Sequence, residues 1–167
     1  MRTGIFATTL VLGFAIATLP TQEVAAQDFS ASRVIDSFDI GKLRAVVAEL
    51  DATIVEKPEG GYRITFSNGT VSSVKFTACT NDICLGTHLT ATFAKPSDKS
   101  VSQTEQIVRD YNRNKRILTV YNLEEGRSQA DLYIIADGGI TMQNYLRQLS
   151  LYAYALKDYR SAIYTGG

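Results

Sequence analysis

The amino-acid sequence predicts an α+β domain in two layers, a mainly antiparallel sheet with helices packed on one face. Three observations carry that expectation. Apolar residues recur every three or four positions from Met142 to Ile163, the period of a long amphipathic helix. Apolar and polar residues alternate through much of residues 62–93, the period of strands half-buried on one side. Turn signals such as Asn68-Gly69 and Gly138-Gly139 separate these stretches closely enough for hairpins.

The elements follow in chain order. Residues 1–26 have the plan of an export signal: Arg2 supplies the early charge, residues 5–19 are almost unbroken apolar, and Val24-Ala25-Ala26 offers small residues for cleavage. The apolar run, about 15 residues, falls short of the ~20 needed to cross a bilayer, so no membrane span is expected after cleavage. Residues 27–38 read as a polar lead-in and residues 39–164 as a single domain. Asp39 is placed to cap a helix over residues 39–51, where Ile40, Leu43, Val46, Val47 and Leu50 share a face. Strands are expected at 53–57 and 62–66, joined by Pro58-Glu59-Gly60-Gly61.

The hairpin at Asn68-Gly69 is constrained by its flanks. A two-residue turn would set Val74 and Phe76 on the opposite face from Ile64; an odd loop centred on Gly69 pairs Ile64 with Val74 and Tyr62 with Phe76, and keeps one face apolar. Asn68-Gly69-Thr70 also fits a glycosylation acceptor, but turn formation accounts for it. A second hairpin closes over residues 80–83, placing Cys79 opposite Cys84, Phe76 opposite Thr87 and Val74 opposite Leu89. Lys75, Thr77, both cysteines, Gly86, His88, Thr90 and Thr92 then fall on the polar face.

Pro96 breaks the strand, and Ser102-Gln103-Thr104-Glu105 has the capping-box pattern for a helix ending near Asn112, with Ile107, Val108 and Tyr111 turned inward. Residues 117–123 and 131–136 form a hairpin through Glu124-Glu125-Gly126-Arg127, its second strand apolar enough to be central. Thr141 caps the last helix, which should lie with the first across the apolar face of the sheet.

Composition narrows the function. The chain has 17 basic and 17 acidic residues, and loss of the first 26 removes one of each, Arg2 and Glu23. Arg109, Arg113, Lys115 and Arg116 are interrupted by Asp110 and asparagines, a solvated helix end and not a nucleic-acid stripe. Cys79 and Cys84 are the only cysteines, and export would place them where a structural disulfide forms. Neither has the helix N-terminus or Cys-x-x-Cys turn that activates a thiolate. His88, the one histidine, sits near Lys75 with no second histidine or carboxylate pair to make a metal site, and reads as a solvated surface residue. No Gly-x-Ser-x-Gly or phosphate loop occurs, and Glu124-Glu125 is an adjacent pair in a turn, unlike carboxylates opposed across a cleft. No catalytic residue, cofactor or metal is therefore assigned. Leu151, Tyr154 and Ala155 flank the apolar stripe of the last helix and widen it, making them the candidate contact surface.

The segment Val108-Arg109-Asp110-Tyr111-Asn112-Arg113, the strand at 117–121 and Asp137-Gly138-Gly139-Ile140-Thr141 before a helix resemble the YbjN family of bacterial proteins. The Cys79 to Cys84 hairpin followed by Gly86 resembles its exported members, although the family often carries Trp where Tyr111 stands. The resemblance implies a fold like that of type III secretion chaperones, a regulatory and non-enzymatic role, and homodimers by analogy with those chaperones. With the export signal it leads to the expectation of a periplasmic or secreted module that contacts a protein or envelope partner. The alternative is a periplasmic enzyme or redox-sensitive protein built on His88 or on Cys79 and Cys84.

Overall fold

A computed structural model describes residues 28–165; the expected export signal lies outside the described residues. The chain runs β1 (Val34–Ile35), α1 (Ile40–Ala48), β2 (Thr53–Glu56), β3 (Tyr62–Thr65), β4 (Val71–Thr80), β5 (Ile83–Phe93), α2 (Val101–Asn114), β6 (Thr119–Asn122), β7 (Ser128–Ile135), β8 (Ile140–Thr141) and α3 (Met142–Thr165). Six strands make one antiparallel sheet in the order β2-β3-β4-β5-β7-β6, and β1 pairs with β8 in a second, two-stranded sheet. This is the expected α+β architecture, with the helices on one face.

The apolar period of α3 becomes the centre of the core. Met142, Tyr145, Leu149, Tyr152, Leu156, Tyr159 and Ile163 all lose contact with water. Each buried tyrosine removes roughly 150–250 Å² from solvent, which at about 25 cal/mol per Å² favours folding by roughly 4–6 kcal/mol before entropy is counted. A buried hydroxyl needs a partner, and the strands supply them: Tyr152 Oη and Ser72 Oγ lie 3.0 Å apart, Tyr159 donates to Ser128 Oγ at 2.7 Å, and Tyr145 meets Thr87 at 3.5 Å. These bonds explain why Ser72, Thr87 and Ser128 are buried on an otherwise apolar face.

The β4–β5 hairpin has the expected register, with Val74 opposite Leu89, Phe76 opposite Thr87 and Cys79 opposite Cys84. β7 lies between β5 and β6, as its apolar run requires. The β3–β4 register differs from the expectation by two residues: Ile64 pairs with Ser72 and Tyr62 with Val74. Gly69 explains it. The loop is a type I turn, Gly69 N–H to Phe66 carbonyl at 2.8 Å, followed by Gly69 at φ +77°, so Phe66 closes onto Thr70 at 2.9 Å and the loop centres on Asn68. A slip of two preserves the face, which is why the apolar side stays intact.

Boundaries also shift: β7 begins at Ser128, three residues before the expected 131, and α1 ends at Ala48 and not at 51. The cap of α2 is Ser100, whose hydroxyl accepts from Gln103 N at 3.2 Å while Gln103 Oε1 accepts from Ser100 N at 2.8 Å; the helix starts earlier than the Ser102 box implies and runs to Asn114. That choice turns Thr104 inward to full burial. The segment before Asp39 is more than a polar lead-in, because Ile35 and Phe38 are buried and the Phe38 ring lies 4.9 Å from that of Tyr145. At the start of α1, Asp39 caps as expected, accepting from Lys42 N at 2.8 Å.

The two edges of the large sheet are finished differently. On β6 the outward-facing carbonyl and N–H of Val120 are both taken by the Asn112 side chain, which acts as one rung of a further strand. The β2 edge carries no such side-chain rung among the described hydrogen bonds.

Candidate functional site

Of the three residues read as a contact surface, Leu151 and Tyr154 face solvent and Ala155 does not. On α3, Tyr154 is 66% exposed and Leu151 37%, forming a ridge one turn apart on the solvent side. Ala155 is a correction: it is 3% exposed and belongs to the core. It stands three residues after Tyr152 and four before Tyr159, which puts it in the buried stripe, and its carbonyl accepts the Tyr111 hydroxyl at 3.0 Å.

Beside this ridge runs a groove absent from the sequence-based expectations. Its upper part, about 270 Å³, is lined by Leu50, Phe66, Asn68, Ala153, Tyr154 and Lys157, among others. Its lower part, about 370 Å³, continues past Asn68 and Lys157 to Arg160, Ser161 and Tyr164. One wall is α3 and the other is the β3–β4 turn. Asn68 holds the walls together: its Nδ2 donates to the Ala153 carbonyl at 2.8 Å, and its Oδ1 accepts from the N–H and hydroxyl of Thr70 at 2.9 and 2.7 Å. The Asn-Gly signal thus forms a turn, as expected, but also a clamp on α3. Lys157 and Arg160 were the missed residues; their signal was a pair of cations three apart following the exposed Tyr154.

The opposite face of the sheet carries a second polar assembly. His88 Nε2 lies 3.0 Å from Asp131 Oδ2, so the expectation of a histidine with no partner to orient it is corrected. Asp131 is reached only because β5 pairs with β7, a contact 43 residues apart in sequence. The same carboxylate accepts from the Tyr121 hydroxyl at 2.8 Å and from Gln129 Nε2 at 3.0 Å. Burial raises the Tyr121 pKa first, and the bond to Asp131 raises it further, since both disfavour the phenolate. Tyr133 lies across Gly86, where a Cβ would overlap its hydroxyl and Thr77 Oγ1, and it accepts from Thr77 at 2.9 Å. Lys75 is the strand neighbour of His88, as expected. The arrangement can orient an imidazole on an open surface.

Cys79 and Cys84 are bonded, as expected, at the tip of the β4–β5 hairpin. Asn81 and Asp82 make the turn with φ of +49° and +64°, and the Cys84 carbonyl accepts from Phe38 N at 2.7 Å, tying the tip to the segment before α1. The pair Glu124 and Glu125 stays in an exposed turn. Around the end of α2, Arg109, Arg113 and Lys115 lie within 4 Å of Glu105, Asp110 and Asp158, which fits a solvated helix end.

These features define a class before they define a family: one small α+β unit, stapled at a hairpin tip, with an aromatic ridge and groove on its last helix. Residues 39–165 match the family described as "YbjN: Putative bacterial sensory transduction regulator", and the chain belongs to the YbjN family. No curated protein and no solved structure matches the chain. No helix of the described residues is long and apolar enough to cross a membrane.

Proposed function

We propose that this chain is an exported, non-enzymatic regulatory module that binds a protein or envelope partner in the periplasm or outside the cell. The observation that carries it is Tyr154, a large aromatic left two-thirds exposed at the rim of a groove, next to Leu151 on a helix whose other side is fully packed. The family description supports a regulatory or protein-binding role. The export signal supports the compartment, and the Cys79–Cys84 bond agrees with an oxidising one.

The test is affinity purification of the tagged protein from a periplasmic extract after crosslinking, comparing wild type with Leu151→Ala/Tyr154→Ala, alongside its mass in solution. A captured partner, or a second copy of the chain, that is lost in the double variant supports the reading. A monomer that enriches nothing defeats it. Export is checked by N-terminal sequencing of the periplasmic protein, with Gln27 expected first.

His88 held against Asp131 favours one second reading, a periplasmic enzyme, because an oriented imidazole is the usual base in such chemistry. A phenotype sensitive to His88→Ala and indifferent to the Leu151/Tyr154 pair would favour it.

A further inference from the structure

We infer that the groove between α3 and the β3–β4 turn takes an acidic peptide segment, an apolar side chain in its upper part and carboxylates against Lys157 and Arg160 in its lower part. This rests on the binding-module proposal and supplies the chemistry of the partner. The two halves differ in character: Leu50, Phe66, Ala153 and Tyr154 meet in the upper part, whereas Lys157, Arg160, Ser161 and Tyr164 line the lower. Lys157 and Arg160 are exposed and have no ion-pair partner among the described residues; Asp158, between them in α3, is instead held 3.1 Å from the Nζ of Lys115 at the end of α2. Two cations facing a recess without a counter-charge are complementary to an anionic occupant.

The walls are set before anything binds. Asn68 fixes the turn to the Ala153 carbonyl, Gly69 holds its left-handed conformation, and the place of a Gly69 Cβ lies 3.7 Å from an Arg160 guanidinium nitrogen, so that side chain already reaches across to the turn. Such pre-organisation lowers the ordering cost of binding. Spacing narrows the motif. At about 1.5 Å per helical residue, Lys157 and Arg160 stand ~6 and ~10 Å along the axis from Ala153, or roughly two and three residues of an extended peptide at about 3.3 Å each. An aromatic or aliphatic residue with a carboxylate two positions on, turned to the same face of an extended chain, satisfies both parts, and an acidic neighbour adds negative charge near Arg160. A recess between a helix and a turn suits a peptide; a flat lipid surface would meet the Tyr154 ridge and leave the recess unfilled.

The experiment titrates the purified protein with a fluorescein-labelled peptide carrying Phe-Ala-Glu-Glu. Its arms are the same peptide with glutamines, vesicles of anionic phosphatidylglycerol, and the K157E/R160E variant, with circular dichroism to verify its fold. Saturable binding is expected, about tenfold weaker for the glutamine peptide and for the charge-reversed variant, and weakened by salt. Absence of peptide binding, equal binding by the variant, or vesicle binding that depends on the same two cations without peptide binding would each overturn it. Capture of a partner that requires Tyr154 but tolerates K157E/R160E would also overturn it, while leaving the binding-module reading standing.

Discussion

On the helix side of the six-stranded sheet, Tyr145, Tyr152 and Tyr159 are cut off from water and each hydroxyl meets a serine or threonine from a strand; on the other side, Tyr121 bonds to Asp131 and Tyr133 to Thr77, with both rings partly in solvent. The same residue type therefore holds the fold together on one face and presents polar, aromatic surface on the other. The difference lies in what replaces water. Inside, every phenol trades hydration for one fixed partner, so its loss is felt in full; outside, water can take the place of any partner removed.

The largest test of that contrast is alkaline pH. Burial pushes the Tyr159 pKa up to about 12, and drives those of Tyr145, Tyr152 and Tyr111 upward as well. Folding favours the neutral phenol, so this stability is fully present below the unfolded value of about 10 and is lost as pH rises through the folded values. These four tyrosines should ionise in one step, together with loss of the circular dichroism signal. Smooth ionisation of all nine near pH 10 with structure retained would break the comparison.

Next in size is a pair two residues apart. Tyr152→Ala empties a packed site and should cost about 3–5 kcal/mol in urea denaturation, whereas Tyr154→Ala should stay within about 0.5 kcal/mol. Equal costs would mean that Tyr154 is part of the core and not a contact residue.

Smaller still is the disulfide, at the tip where the helix-facing side runs out of cover and Ala78 is exposed. The covalent link acts where packing ends, and because its loop is short the chain-entropy model gives only about 2 kcal/mol. A mild reductant should lower the melting temperature by a few degrees, and an unchanged value with reduction confirmed by mass would assign the staple another role.

What the sequence made legible follows the same division. Alternation and helical period locate the covered face, because burial writes itself into every second or every third and fourth residue. Pattern alone could not choose the β3–β4 register, since a slip of two leaves each side chain on its face; the left-handed requirement at Gly69 decides it. Nor could it choose Ser100 over Ser102, both followed by plausible capping partners, or detect β1, whose two residues are too few to show a period. The open face was the least legible. Its order comes from pairing between distant strands, so His88 looked unaccompanied until β7 brought Asp131 beside it.

That assembly supplies the smallest effect. Asp131→Ala removes the acceptor shared by His88, Tyr121 and Gln129, yet the His88 side chain is 36% exposed and water can solvate what is left. Part-buried polar pairs at a sheet surface, with water at hand for the groups left behind, contribute little, so the variant should lose about 1 kcal/mol or less, with a His88–Asp131 coupling of about 0.5 kcal/mol in a double-mutant cycle. A loss above about 2 kcal/mol would exceed what surface pairs supply and show that the open face is structural like the covered one. A small loss joined to a changed phenotype in cells would instead place that carboxylate and imidazole in use at the surface, because stability could no longer account for the effect.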